Sequence, residues 1–358
     1  SHIFLDSMGL WFFLGGLFLG ALVVLFLMHF IPEKEPHFHI APSKFDVPKW
    51  SNRPRPITFF VNSRGRKIYY EQRGDPSNKK CKGVLFVNVG YSAHTMRPTK
   101  HLFFEELAKV DEKGRFFCVA TFDWEGAGYS EGVRTLVEPE GMLNDLEQFV
   151  ELVMEDAPDA LKWYCVGQSM AGAAALLFSK RIFNRNFSHY SAYGGCIAVA
   201  PLVTLDKPPA PILMIMKSIA ILFPTCLIPE IVQGDISNAA VWTSQEVRDW
   251  HATHDVWGVP GALGWGKSVR WGSARALINM SDSVLSMVHN NEVSFPLLVL
   301  HDPEDKVTHF KGTRLLIEKS KSPNTQLTEM PGCKHDLMSN EPIRVAANIH
   351  KWIDSLNS

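Results

Sequence analysis

No C-x-x-C pair occurs in this chain. Its six cysteines (Cys81, Cys118, Cys165, Cys196, Cys226 and Cys333) are scattered, and Cys118, Cys165 and Cys196 sit in apolar, strand-like runs. A zinc site or a disulfide framework is therefore not expected, and buried free thiols are. An excess of one charge is missing too. Lys and Arg number 36 against 37 Asp and Glu, for a formal net charge of −1. That balance argues against a nucleic-acid partner, whose binder would usually carry a basic excess. No metal and no cofactor is expected. A third absence is local, since no formally charged residue occurs between Gly9 and Ile31.

That uncharged run, GLWFFLGGLFLGALVVLFLMHFI, is 23 residues long, and a helix crosses the hydrocarbon core with about 20 apolar residues. It exceeds the roughly 7–15 residues of a signal-peptide core, and no A-x-A-like cleavage site follows it. Residues 1–31 are expected to form an uncleaved, single-pass membrane anchor. Gly16 and Gly20 make one G-x-x-x-G, a face of the kind through which helices pair, and so a homodimer contact. Lys34, Lys44, Lys49, Arg53 and Arg55 follow the run, which orients the body toward the cytoplasm. Unpaired thiols favour the same side. The sequons at Asn186 and Asn279 would matter only for a lumenal body. Residues 32–56 hold six prolines and read as an extended linker.

The body begins near Ile57. Ile57 to Val61 and Lys67 to Glu71 are strand-like around the turn Asn62 to Arg66, an antiparallel hairpin. Strands and helices then alternate: Val84 to Val89 (strand), Leu102 to Val110 (helix), Arg115 to Phe122 (strand), Gly141 to Met154 (helix), Leu161 to Val166 (strand), Ala171 to Phe178 (helix) and Gly195 to Val199 (strand). Apolar strands alternating with helices predict a mostly parallel sheet with helices on both faces. The alternation stops from about residue 206 to residue 292. That block contains the apolar run Ile212 to Phe223 and five tryptophans (Trp242, Trp250, Trp257, Trp265 and Trp271). It resumes with the strand Phe295 to Leu300, a helix from Gly312, a strand near Thr325 to Met330 and a closing helix from Ile343. Residues 57–205 and 293–358 are thus expected to form one α/β core, with 206–292 inserted as a helical cap. Ile212 to Phe223 has three readings: packing on the core, lining an acyl-chain channel, or dipping into a bilayer surface.

Val166-Gly167-Gln168-Ser169-Met170-Ala171-Gly172 joins a strand to a helix. A serine on such a sharp turn is lifted above the sheet over a helix N-terminus, where N–H groups and positive dipole await developing negative charge. A serine hydroxyl needs a base, a histidine suits that role, and a carboxylate fixes its tautomer. The partners of a nucleophile elbow follow in the order acid, then histidine. His301 to Val307 follows a late strand and offers Asp302, Glu304 and Asp305. Asp302 is suited to cap the turn before Pro303, and Asp305 to reach inward. His335 follows the last strand and is the expected base, since His350 lies in a helix, His309 starts one, and His251 and His254 lie in the insertion. The oxyanion hole is expected from the backbone N–H groups of Met170 and of Tyr91, in the loop Asn88 to His94.

Together these pieces resemble the monoacylglycerol lipase and lysophospholipase branch of the α/β-hydrolase superfamily, the serine aminopeptidase S33 type. The resemblance runs from about Ile57 to the C-terminus. Its most specific match is the intact D-x-x-G-x-G-x-S-x-G of Asp123 to Gly132. The family's H-G-x-G-E-H-S loop corresponds to Val89 to Thr95, its G-H-S-M-G-G elbow to Gly167 to Gly172, and its terminal G-x-x-H to Gly332 to His335. Val89, Gln168 and Ala171 depart from the pattern and bear on substrate preference and rate. The resemblance implies a serine hydrolase acting on an acyl ester of a lipid, a monoacylglycerol or lysophospholipid, through an acyl-enzyme. The family is mostly soluble or peripheral, so the expected membrane anchor is an addition to it. The alternatives are an acyltransferase, a non-lipid esterase or peptidase, and a non-catalytic membrane scaffold. No acidic cluster placed to bind a free amine accompanies the peptidase reading.

Overall fold

The computed structural model describes residues 58–184, 190–233, 238–259 and 262–356, together with four single helical positions, Gly16, Gly20, Val23 and Val24. Apart from these four positions, the expected anchor, with the linker and the Asn186 sequon, lies outside the described residues. Among the described residues no helix is long and apolar enough to cross a membrane.

The near-continuous apolar runs become the interior strands of an eight-stranded sheet. The strands are β1 (Thr58–Val61), β2 (Lys67–Arg73), β3 (Cys81–Asn88), β4 (Phe116–Phe122), β5 (Trp163–Gln168), β6 (Tyr193–Val199), β7 (Leu297–His301) and β8 (Thr325–Glu329). Their order is β1-β2-β4-β3-β5-β6-β7-β8. Only β1–β2 and β2–β4 pair antiparallel; every other neighbour is parallel. β3 and β5 to β7 are buried almost throughout, because helices cover both faces.

One face is covered by α1 (Pro98–Leu107) and the closing helix α8 (Pro342–Leu356). Val345, Ala346, Ile349, Trp352 and Ile353 of α8 turn inward at helical spacing. The other carries α2 (Pro139–Met154) and α3 (Met170–Asn184). The run of alanines opening α3 lets it lie close to β5 and β6. α7 (Phe310–Lys319) links β7 to β8 and packs against both. α1 starts four residues before the sequence-based estimate, because Pro98 is accommodated in the first turn, where its missing N–H costs nothing.

The block between β6 and β7 holds α4 (Ala210–Leu222), α5 (Gln245–His254), α6 (Trp271–His289) and two short helical turns. It is not one layer. Met280, Val284, Met287 and Val288 of α6 join the hydrophobic cluster under the sheet, whereas Trp271, at its start, packs with Ala220, Phe223, Cys226 and Ile228 in a separate small cluster. α4 rests on α6 by one edge and leaves its other side uncovered, with Met214 68% and Ile221 64% exposed. Of the three readings of Ile212 to Phe223, packing on the core thus accounts for one edge of this helix, through Ala220 and Phe223 against Trp271. All six cysteines are free and buried.

Candidate active site

Ser169 stands alone between the end of β5 and the start of α3, with φ of +58°. Few non-glycine residues adopt this conformation, and it persists only where the surroundings enforce it. They do so here through the main chain. Ser169 N–H donates to the Val199 carbonyl at 2.9 Å, and the Ser169 carbonyl accepts from Leu202 N–H at 3.0 Å. The turn is tight enough that a Cβ on Gly167 would lie 2.1 Å from the Ala171 carbonyl oxygen.

His335 Nε2 lies 3.0 Å from Ser169 Oγ, and His335 Nδ1 lies 2.8 Å from Asp305 Oδ2. The structure thus brings the three expected side chains into one hydrogen-bonded chain, although 166 residues separate His335 from Ser169. Asp305 is buried, and burial alone would raise its pKa. Hydrogen bonds from His301 and His335, with the Val307 amide, outweigh it and hold the carboxyl well below the usual range. Thr308 Oγ1 also donates to Asp305 Oδ2 at 3.0 Å. Asp302 does what its place before Pro303 suggests and more. It accepts from Glu304 N–H at 2.9 Å and from Lys334 N–H at 2.6 Å, so it ties the acid loop to the histidine loop. Glu304 is exposed. His350 bonds the Leu107 carbonyl and His309 bonds Asp206, both away from the serine.

Tyr91 and Met170 flank the nucleophile, and Gly90 packs so close that a Cβ on it would sit 3.0 Å from Ser169 Cβ. Met170 opens α3, so its N–H has no partner within the helix. The oxyanion loop is held by the aspartate motif. Asp123 accepts from Thr95 N–H at 2.7 Å and Tyr129 N–H at 3.0 Å, while Trp124 Nε1 donates to the Val89 carbonyl at 2.8 Å. Gly128, φ +49°, passes so near that a Cβ would meet Asp123 Oδ2 at 1.9 Å. The most specific sequence match is thus a brace behind the site, with no part in the bond-making chain.

The family model described as "Serine aminopeptidase, S33" matches residues 79–343. The chain belongs to this family of serine hydrolases. Mouse monoglyceride lipase is 25% identical over 304 residues, covering 83% of this hydrolase and 90% of that protein. A monoacylglycerol lipase of Mycolicibacterium smegmatis is 25% identical over 305 residues, covering 83% and 96%. A soluble variant of Saccharomyces cerevisiae monoglyceride lipase superposes with a TM-score of 0.65 at 18% identity, over 85% of this hydrolase and 98% of that chain. The Paleococcus ferrophilus monoacylglycerol lipase follows at 0.63 and 17%, over 81% and 99%. At those identities the superpositions establish the fold.

Ser169 and His335 of this S33 hydrolase open into a cleft of about 490 Å³ that the cap roofs with Trp242, His251 and Asp255. A second, smaller cavity of about 250 Å³ shares Gly90, Tyr91 and Ser92 with it and is lined in part by Trp124, Leu136, Met142 and Met170. Reading the sequence missed two groups here. The first is Asp255, which takes His94 Nε2 at 2.8 Å, Arg97 Nε at 2.8 Å and His251 Nδ1 at 3.2 Å, clamping the cap onto the oxyanion loop. The second is a buried set around Asp336, beside His335. Burial alone would raise the Asp336 carboxyl, but Lys100 and the hydrogen bonds of Gln168 and Ser339 hold it below its ordinary range. No local pattern announces either group. The one available signal was Gln168, the departure beside the nucleophile.

His251 gives this enzyme an acid sensitivity. Burial, chiefly, pushes its pKa down to about 4, despite the hydrogen bond to Asp255. The unfolded chain then binds a proton that the fold refuses between about pH 6.5 and 4, so stability falls as pH drops through that window, by at most about 1.4 kcal/mol per unit. Asp255 and Asp305, with depressed pKa values, add losses only below about pH 4. Asp145, pushed up to about 6 by burial, acts in the opposite sense over the same window. The His251 contribution is therefore read as a difference: from pH 7 to pH 4 the thermal midpoint of the parent is expected to fall relative to that of His251→Phe, which keeps the stack on Trp242.

Proposed function

We propose that this protein cleaves the acyl ester of a single-chain lipid, a monoacylglycerol or lysophospholipid, at a membrane surface. The observation that carries the reading is the Ser169–His335–Asp305 chain at the floor of a cleft whose cap presents an uncovered apolar helix, α4. In this mechanism Ser169 Oγ attacks the ester carbonyl while His335 Nε2 takes its proton. Asp305, ionised at neutral pH, stabilises the imidazolium through Nδ1–H. The Met170 and Tyr91 amides receive the oxyanion. The imidazolium then protonates the leaving alcohol, and water, activated by the same imidazole, releases the fatty acid from Ser169. The names of the relatives support the substrate class, and the apolar part of the smaller cavity, Trp124, Leu136, Val137, Met142 and Met170, suits an acyl chain, with Arg64, Arg66, Glu125, Glu138 and Asp145 forming its charged part.

The uncharged run from Gly9 to Ile31 supports a single-pass anchor, and the basic residues after it support a body on the cytoplasmic side. α4 would then rest on the same bilayer. A panel of monoacylglycerols, lysophospholipids and aminoacyl amides tests the substrate class on the detergent-solubilised chain. Hydrolysis confined to the lipid esters is expected, and preference for an aminoacyl amide would overturn the reading. Added glycerol distinguishes transfer from hydrolysis by whether glyceride replaces fatty acid as product. Met214→Asp with Ile221→Asp is expected to lower activity on vesicle-borne lipid by about tenfold while leaving a water-soluble ester unaffected. Equal loss on both substrates would remove α4 from the membrane.

A further inference from the structure

Lys100 is 1% exposed in the first turn of α1, a depth of burial that lysine reaches only when paired. Its ammonium bonds Asp336 Oδ1 and, at 3.0 Å, Gln168 Oε1. Gln168 in turn donates through Nε2 to Asp336 Oδ1 at 2.9 Å and to the His335 carbonyl at 3.3 Å. Asp336 Oδ2 accepts from Trp242 Nε1 at 3.0 Å and from Ser339 Oγ at 2.9 Å. Gln168 precedes the serine and Asp336 follows the histidine, so one closed ring of polar bonds spans the two loops whose separation sets the Ser169–His335 distance. Trp242 ties the ring to the cap, where it stacks on His251 with centroids 3.9 Å apart.

The geometry points to Lys100, Gln168 and Asp336 as positioning residues that hold His335 against Ser169, with Trp242 coupling that alignment to the seating of the cap. The physical reason is stiffness. A buried carboxylate with an ammonium and several neutral donors occupies one arrangement, because any departure strands a charge. A misplacement of about 1 Å in the base costs on the order of 10²-fold in rate. The glutamine fits this ring because its amide accepts from Lys100 and donates to Asp336 at once. The inference rests on the reading of His335 as base.

The test compares Lys100→Met, Gln168→Met, Trp242→Phe and the double variant Lys100→Met/Asp336→Asn on a water-soluble ester. Rates are normalised to sites titrated with a fluorophosphonate. Lys100→Met and Gln168→Met are expected to lose about 30-fold or more in kcat with KM within about twofold, the mark of an interaction that serves the chemical step. Trp242→Phe, which removes the N–H donor together with part of the ring stacked on His251, is expected to lose a few-fold in kcat. The double variant is expected to recover at least about fivefold over Lys100→Met, because it no longer strands a buried carboxylate. Wild-type kcat per titrated site in folded Lys100→Met or Gln168→Met would overturn the assignment, as would a double variant no better than Lys100→Met. If Lys100→Met does not fold, unchanged kcat in both Gln168→Met and Trp242→Phe overturns it. Ser169→Ala separates the two levels: if it keeps activity the catalytic reading fails, and if it is inactive while the ring variants are normal, only the ring's role fails.

Discussion

Ser169→Ala is expected to give a folded protein whose ester hydrolysis is slower by about 10⁵-fold or more. Among the described residues the side chain makes one hydrogen bond, Oγ to His335 Nε2 at 3.0 Å. The strained turn that presents it is held by main-chain bonds to Val199 and Leu202, which alanine leaves intact. Loss of function should therefore come with a thermal midpoint within about 2 °C of the parent. Fluorophosphonate labelling, which requires the activated oxygen, should vanish with the rate. Persisting label on the variant would mean that another nucleophile does the chemistry, and the cleft around Ser169 would lose its role.

Gly167→Ala should have the largest effect on the fold. A Cβ there would lie 2.1 Å from the Ala171 carbonyl oxygen, 2.4 Å from its carbon and 2.8 Å from the Gly172 nitrogen. All three are backbone atoms of the first turn of α3, so no side chain can swing away to make room. Relief requires moving the helix off β5, and the Gly172 side of that helix is already against Pro201. A loss of about 4 kcal/mol or more follows, in the range kept for overpacking at backbone level. Chemical denaturation is the measurement, and a variant within about 1 kcal/mol of the parent would show that the elbow is looser than its geometry. By contrast Ala171, where the family has glycine, is accommodated as a buried methyl.

Much of the site was legible from local pattern. Ser169 stands out because a nucleophile elbow forces small neighbours and a strand-to-helix switch within a few residues. His335 and Asp305 were found by position, each on a loop after a late strand. In a parallel sheet all such loops emerge at one edge, so chain order carries spatial information. The sheet itself was legible because a strand covered on both faces has no polar side to interrupt its apolar run, as β3, β5 and β6 show.

Local pattern is therefore enough for whatever one element or one turn encodes: the alternating core, the elbow, the loops that carry base and acid, and the unpaired thiols. Tertiary structure alone decided the rest. Lys100 meets Asp336 across 236 residues, and Arg97 meets Asp255 across 158. Neither pair leaves a periodicity, because each is formed by single residues from separate elements. The insertion likewise divides in space, with the later half of α6 in the core and α4 left uncovered. The physical reason is common to all three. Burial pattern reports how one segment faces its surroundings, whereas a buried ion pair or a shared helix depends on which segments arrive at the same place.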